Sequence, residues 1–178
     1  MKYVISSALA VALLVSAIAA QGDQESGFRL ARGKIETPGE SSMKVKDTPT
    51  ESNTYQAGET TKVKVKGKNK LGDLQAGDEI TIVYQRQGQK NVIREVNNLS
   101  YTRGKVQSLE EGTITIKDSG NKQWTLKTND TTQFSLNEKT SKIGQMKTGD
   151  ECQVAYTPND GEPRQGTARF VVTTRSSN

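Results

Sequence analysis

Two long segments of this chain are copies of each other. Arg32-Gly33-Lys34-Ile35 returns as Arg103-Gly104-Lys105-Val106, so the copies begin at residues 32 and 103. After a slip of one residue, residues 70–79 match residues 142–151. A repeat this long is a domain, because solenoid units recur about every 20–50 residues. Features that both copies carry are expected to serve the fold, and features of only one copy are candidates for function.

The first twenty residues have the pattern of a secretory signal peptide. Lys2 provides a short cationic start, residues 4–18 are apolar, and Ala17-Ile18-Ala19 provides the small residues of a cleavage site. The apolar run is shorter than the roughly 20 residues that cross a membrane. We therefore expect cleavage, no transmembrane span, and a mature protein that is periplasmic or secreted.

Each copy shows the alternation of apolar and polar residues that is typical of short strands. In the second copy, Ile114 and Ile116 alternate with threonines, a turn sequence follows, and Trp124 and Leu126 begin the next alternation. The pattern predicts an all-β protein with two tandem, small, antiparallel OB-like barrels of five or six strands. The predicted order is signal peptide (1–20), polar leader (21–31), first barrel (32–96), joint (97–102), second barrel (103–172) and polar tail (173–178). Oligomeric state and barrel orientation stay open.

The matched segments at 70–79 and 142–151 predict a turn that plugs each barrel. Leu71 and Leu74 lie three residues apart, so one helical turn directs both into the core. Gly77 is expected to adopt a positive φ, and Asp78 to accept hydrogen bonds from nearby backbone amides. The one cysteine, Cys152, aligns with Ile80, and we expect it to be a buried, unreactive thiol.

Four short motifs of the second copy occur together in a known family. They are Gly104-Lys105-Val106, Thr132-Gln133-Phe134, the run from Met146 through Gly149-Asp150-Glu151-Cys152, and Thr167-Ala168-Arg169-Phe170. In this order they resemble a bacterial family of exported domains of unknown function. The resemblance implies a small five-stranded OB-like barrel, often in tandem, and no activity. The first copy differs through a polar loop expected at residues 48–58 and through the absence of the closing Thr-Ala-Arg-Phe.

The chain contains no histidine, so it lacks the commonest general base near neutral pH and the commonest transition-metal ligand. Serine–histidine and cysteine–histidine catalysis are excluded within one chain. The Asp78-Glu79 pair and its copy are carboxylates in a turn sequence that both repeats share. We predict no catalytic residue, no metal ligand and no cofactor, with a carboxylate-dependent hydrolase as one alternative.

Another alternative is a metal-handling barrel like the periplasmic copper chaperones, which use methionine, histidine and tryptophan. Met43 aligns with Ile114 and Met146 with Leu74, so both methionines are expected in the core. Soft sulfur ligands bind copper when they cluster, and these spacings show no cluster.

One feature of the first copy breaks the repeat with a clear physical meaning. We call it the lysine stripe, and it consists of Lys62, Lys64, Lys66, Lys68 and Lys70. The residues of the second copy that align with its first three members are Gln133, Ser135 and Asn137. Two interpretations stay open: a charged edge strand that prevents strand addition, or a docking surface for an anionic envelope polymer or lipid headgroup. The second interpretation is our leading hypothesis for function.

A stacking face is a further candidate site. Trp124 has no aromatic counterpart in the first copy, where Asn53 aligns. With Tyr101 it would form the kind of surface on which OB barrels stack bases or sugars. A single core tryptophan in a small barrel is the alternative. Because we expect export, we expect no nucleic-acid partner.

Overall fold

The structure, a computed structural model, describes residues 27–175. The predicted signal peptide therefore lies outside the described residues, as do parts of the predicted leader and tail. The described chain forms the strands β1 (Arg29–Thr37), β2 (Ser42–Lys46), β3 (Ser52–Lys64), β4 (Glu79–Gln87), β5 (Lys90–Asn97), β6 (Ser100–Glu110), β7 (Thr113–Lys117), β8 (Gln123–Lys127), β9 (Gln133–Leu136), β10 (Lys139–Ser141), β11 (Glu151–Asn159) and β12 (Glu162–Thr174), with short 3-10 turns at Leu71–Asp73 and Ile143–Gln145.

The strands build two β-barrels, which confirms the predicted fold class. The first is a closed ring in the order β1-β2-β3-β5-β4. In the second, pairing between β12 and β8 closes β6, β7, β8, β12 and β11 into an equivalent ring. Each ring contains one parallel pair, β3 with β5 in the first and β12 with β8 in the second. Outside the second ring, β9 also pairs parallel with β12. Alternation of residue types cannot reveal strand direction, so the sequence did not predict these parallel pairs.

The strand β3 corrects one expectation. The sequence predicted a polar loop at residues 48–58, but β3 begins at Ser52 and continues to Lys64. The segment reads as polar because most of its side chains face outward, while Tyr55 points inward and is 1% exposed. Its ring packs edge-on against Tyr84, with the centroids 5.1 Å apart. One buried aromatic residue thus anchors a strand whose other side chains resemble a loop.

The barrels also begin earlier than the repeat suggested. Residues 29–31 of the predicted leader belong to β1, and residues 100–102 of the predicted joint belong to β6. Both strand starts contact a cluster of buried side chains between the barrels, with Phe28 and Leu30 in one and Leu99 and Tyr101 in the other. Each strand begins three residues before the detectable sequence similarity between the copies.

Each barrel has its own core, and the plugging turns lie where the sequence placed them. Leu71 and Leu74 are buried in the first core, and Met146 is buried in the second. Gly77 has a φ of 91°, as does its equivalent in the second copy. The carboxylate of Asp78 accepts a hydrogen bond from a backbone amide, at 2.7 Å. The positive φ and the aspartate hydrogen bond are confirmed in both copies. The plug is complete only in the first copy, because Ile143 is only half-buried in the second.

Cys152 lies in the second core and is 1% exposed. Burial raises the pKa of its thiol well above the ordinary value, which keeps the thiol protonated and unreactive. The predicted role as a small core residue is confirmed.

A third cluster of buried side chains joins the barrels. It contains Phe28, Leu30, Val83, Ala155, Phe170 and Val172. The rings of Phe28 and Phe170 meet edge to face with their centroids 5.6 Å apart. Full burial of such a side chain contributes about 1.5–3 kcal/mol, so this contact stabilises one relative placement of the barrels.

Hydrogen bonds hold the start of the described chain against the second barrel. The amide of Gly27 donates to the carbonyl oxygen of Glu138 at 2.9 Å. The amide of Phe28 donates to the Ser135 hydroxyl at 3.1 Å, and Arg29 forms an ion pair with the Glu138 side chain. The residues that enter β1 therefore belong to both barrels.

The barrels contact each other through equivalent faces. Phe28 and Leu30 precede and begin β1, and they align with Leu99 and Tyr101 in the second copy. All four side chains lie in, or pack against, the cluster between the barrels. Subunits related by a twofold axis meet in this manner, with the same patch on both sides. The two barrels thus contact each other through partly equivalent patches.

Candidate functional site

The lysine stripe lies at the end of β3 and in the turn that follows. Lys62, Lys64 and Lys66 are exposed, whereas Val63 and Val65 between them are half-buried against the first core. Successive side chains of a strand point to opposite faces, and this alternation places the lysine charges outward.

Two members of the stripe form ion pairs with carboxylates of the first barrel. The ammonium of Lys64 lies 2.7 Å from the carboxylate of Glu95, whose side chain is only 11% exposed. Lys68 forms an ion pair with Asp78. In the second barrel, Phe170 pairs with β9 at the position where Glu95 pairs with β3 in the first. Ser135 stands at the position of Lys64, so the second barrel has neither member of this ion pair. Lys64 and Lys68 therefore serve the fold.

The other three members have no ion-pair partner in the part of the chain that the structure describes. Asp73 accepts hydrogen bonds from the backbone amides of Asn69 and Lys70, and these bonds lower its pKa. That carboxylate offsets some of the charge of Lys70. Lys62 and Lys66 are thus the least compensated cations of the stripe.

Lys62 also lines a groove between the barrels. Two cavities of about 590 and 120 Å3 share Thr60, Arg94 and Gln133 in their walls, and Lys62 lines the smaller one. We call this the inter-barrel groove. Lys62 and Gln133 are aligned positions of the two copies, so the groove lies where the equivalent faces meet. Junctions between domains are common ligand sites.

Arg94 is the second cation of the groove. Val83 pairs with Glu95 and Tyr84 pairs with Ile93, which leaves Arg94 as the extra residue of a β-bulge. Bulges redirect side chains, and here the guanidinium lies 5.9 Å from the centre of the Phe28 ring. This distance is within the range of a cation–π contact, so Phe28 holds the charge at the groove wall.

The groove has free polar groups beside these cations. Thr60 and Gln133 are exposed, and neither side chain makes a hydrogen bond with any other described residue. Phe134 is half-buried and adds an apolar area to the wall. The groove therefore combines two cations, a hydroxyl, an amide and aromatic carbon with the Glu95 carboxylate, which lines the smaller cavity and is paired with Lys64.

A second cationic cavity, of about 660 Å3, lies in the second barrel alone. Its walls contain Arg103, Lys105 and Lys117, but also Asp118 and Glu151. Lys105 lies 3.8 Å from Glu151. Cations and carboxylates are mixed here, as they are in the smaller cavity of the groove, where Glu95 lies beside Lys62 and Arg94.

The proposed stacking residues lie in different parts of the protein. Trp124 packs against the second core, and its indole N–H donates to the Tyr156 hydroxyl at 3.2 Å. Tyr101 packs against the cluster between the barrels, and burial raises its pKa to about 12. The structure does not bring them together into one aromatic surface.

Met43 and Met146 are buried in the cores of different barrels. Across residues 27–175, no group of three or more cysteine, aspartate or glutamate side chains is placed to hold a metal ion. The described helical segments also include none that is long and apolar enough to cross a membrane.

Sequence reasoning found Lys62 but missed the rest of the groove. Thr60 and Gln133 are ordinary polar residues of alternating strands, and Arg94 gives no signal because it depends on a bulge. The repeat shows that lysine at position 62 aligns with glutamine at position 133. Only the fold shows that both side chains line the same groove.

No protein-family model and no curated protein matches this chain. Among solved structures it is similar to a crystal structure of CusF with bound Ag(I), with 12% sequence identity and a TM-score of 0.32. The match covers 39% of this chain and 93% of that protein. At this identity and TM-score, the likeness supports no inference about function.

Proposed function

We propose that this protein is an exported binding module that holds a linear anionic polymer of the cell envelope along the lysine stripe. One observation carries the proposal. Lys62 and Lys66 are exposed and have no carboxylate partner among residues 27–175, whereas the second barrel has Gln133 and Asn137 at the same positions. The barrel fold does not require these two charges. We also infer periplasmic or secreted location from the signal sequence, and kinship with the exported tandem-barrel domains from the shared motifs.

The arrangement of the charges favours a polymer over a compact headgroup. Lys62 and Lys64 are two residues apart on β3, or about 6.6 Å, and Lys66 follows in the turn. The row of exposed lysines therefore continues past the end of the strand, although the charge of Lys64 is paired with Glu95. A polymer with a charge on each unit can follow such a row, and a single headgroup can contact only part of it. Exposed charges of this kind contribute binding that salt screens over about 10 Å at 0.1 M.

The test compares two variants with the same loss of charge. Lys62→Gln with Lys66→Asn imports residues that the second barrel already carries and leaves the pair of Lys64 and Glu95 intact. Lys117→Gln with Lys122→Gln removes two exposed lysines from the β7–β8 hairpin. Binding of inorganic polyphosphate and of an oligouronate is measured by calorimetry at low and at physiological salt, and vesicles rich in phosphatidylglycerol form a third arm.

We expect both polymers to bind at low salt, with an affinity that falls as salt rises. The stripe variant should lose most of this affinity, and the hairpin variant should keep it. Absence of polymer binding at low salt, or equal losses in the two variants, contradicts the proposal. Binding to vesicles alone would assign the stripe to a membrane surface.

No observation favours the copper-handling alternative, because both methionines are core residues of separate barrels. The hydrolase alternative makes a different prediction for the same experiment, since the oligouronate would be shortened during incubation. Chromatography of the recovered ligand separates binding from hydrolysis.

A further inference from the structure

We propose that the inter-barrel groove is a specificity site that takes one acidic sugar unit of the bound polymer. This inference rests on the proposed function, which supplies the polymer, and adds the class of unit that the groove selects. It is carried by the combination of groups around the cavity, of which Thr60 and Gln133 have no side-chain hydrogen-bond partner among residues 27–175.

The groove offers the groups that an acidic sugar requires. Arg94 is fixed against Phe28, and a guanidinium can hold a carboxylate or phosphate through two parallel hydrogen bonds. Thr60 and Gln133 each present a side chain that is unsatisfied within the described residues, and a sugar hydroxyl can pair with either. The half-buried Phe134 supplies an apolar wall for the carbon face of a pyranose ring.

The site also lies where a polymer on the stripe must pass. Lys62 is a member of the stripe and a wall residue of the smaller cavity, so the stripe leads directly into the groove. The two cavities, of about 590 and 120 Å3, together match the size of pockets that enclose small ligands. The stripe then attracts the polymer through its charge, and the groove selects which sugar unit binds.

This division of roles predicts a change of specificity. Thr60→Val with Gln133→Leu removes one hydroxyl and one amide and leaves every lysine and Arg94 in place. Polyphosphate has no hydroxyl groups along its chain, whereas an oligouronate has them on each unit. Losing two hydrogen bonds predicts a weakening of roughly 30-fold for the oligouronate. The affinity for polyphosphate should fall less, because its oxygens can accept hydrogen bonds from Thr60 and Gln133 but it has no hydroxyl that donates to them in return.

The experiment measures both probes, and monomeric glucuronate, against wild type, the groove variant and the stripe variant. Circular dichroism first verifies that the variants are folded. A selective loss of oligouronate binding in the groove variant supports the inference, and binding of monomeric glucuronate shows that a free sugar acid also fits. Unchanged oligouronate binding in the groove variant, or equal losses for both polymers, overturns the inference while the proposed function survives. If neither polymer binds wild type, the proposed function itself fails.

Discussion

The pair of Lys64 and Glu95 gives a sharp test of which stripe lysines serve the fold. Lys64→Ser and Lys62→Gln each import the residue of the second barrel and each remove one charge. The Glu95 side chain is 11% exposed and the Lys64 side chain is 52% exposed. Breaking a fully buried ion pair costs about 3–5 kcal/mol and an exposed pair about 0–1 kcal/mol. This pair lies between those limits, so we expect Lys64→Ser to lower the free energy of unfolding by about 2 kcal/mol.

The assay is thermal and urea unfolding followed by circular dichroism at neutral pH. A loss of about 2 kcal/mol corresponds to a decrease in Tm of roughly 4–8 °C for a protein of this size. Lys62→Gln should change stability by about 0.5 kcal/mol or less, because it is an exposed residue without a partner. Adding Glu95→Gln to Lys64→Ser should recover more than half of the loss, since the unpaired charge is then gone. Equal stability of Lys64→Ser and Lys62→Gln would refute the reasoning.

Three further predictions concern the fold. The hydrogen bond from Arg175 holds the pKa of the Asp150 carboxyl below its ordinary value; such a group stabilises the protein above its unfolded-state pKa, and this contribution is lost as pH falls through the folded-state pKa. Urea unfolding at a series of pH values should therefore show declining stability below about pH 4, and a smaller decline in Asp150→Asn. Cys152 should react with a thiol reagent only in denatured protein, and rapid labelling of native protein would show that the thiol is accessible. Gly104→Ala should cost about 1–3 kcal/mol, because its Cβ would lie 2.2 Å from a β7 carbonyl oxygen, whereas Gly144→Ala meets nothing within 4 Å and should be neutral in the same assay.

Much of the fold was accessible from the sequence because the two copies confirm each other. Alternation in each copy predicted the strands, and the matched glycine and aspartate of the plugging turns predicted local conformation. The alignment of Cys152 with Ile80 predicted burial. These features depend on local backbone conformation or on burial, and residue type at each position indicates both.

The contact between the barrels could not be predicted in the same way. Phe28 lies before the repeat begins, and Phe170 reads as an ordinary strand residue until the barrels are placed face to face. Glu95 likewise reads as a solvated charge, although its pairing across β3 buries it. Such properties depend on which surfaces meet, and neither periodicity nor composition encodes that choice.

The candidate site follows the same division. The stripe was visible as a break in the repeat, and Lys62 was among its named members. The sequence could not show which of its lysines form ion pairs. That required the fold, which brings Glu95 to Lys64 and Asp78 to Lys68. The groove required the barrel contact and the bulge at Arg94, so among its polar residues only Lys62 was a candidate from the sequence alone.

The most direct test of the account is to map the bound polymer on the protein by nuclear magnetic resonance, with an oligouronate titrated into isotope-labelled wild type at low salt. The account predicts that amide shifts change along residues 60–66 and at Arg94 and Gln133, and that these changes disappear at high salt. Shift changes confined to the cavity around Arg103 and Lys117, or no changes at saturating ligand, would contradict the central claim that the stripe and the groove form the binding site.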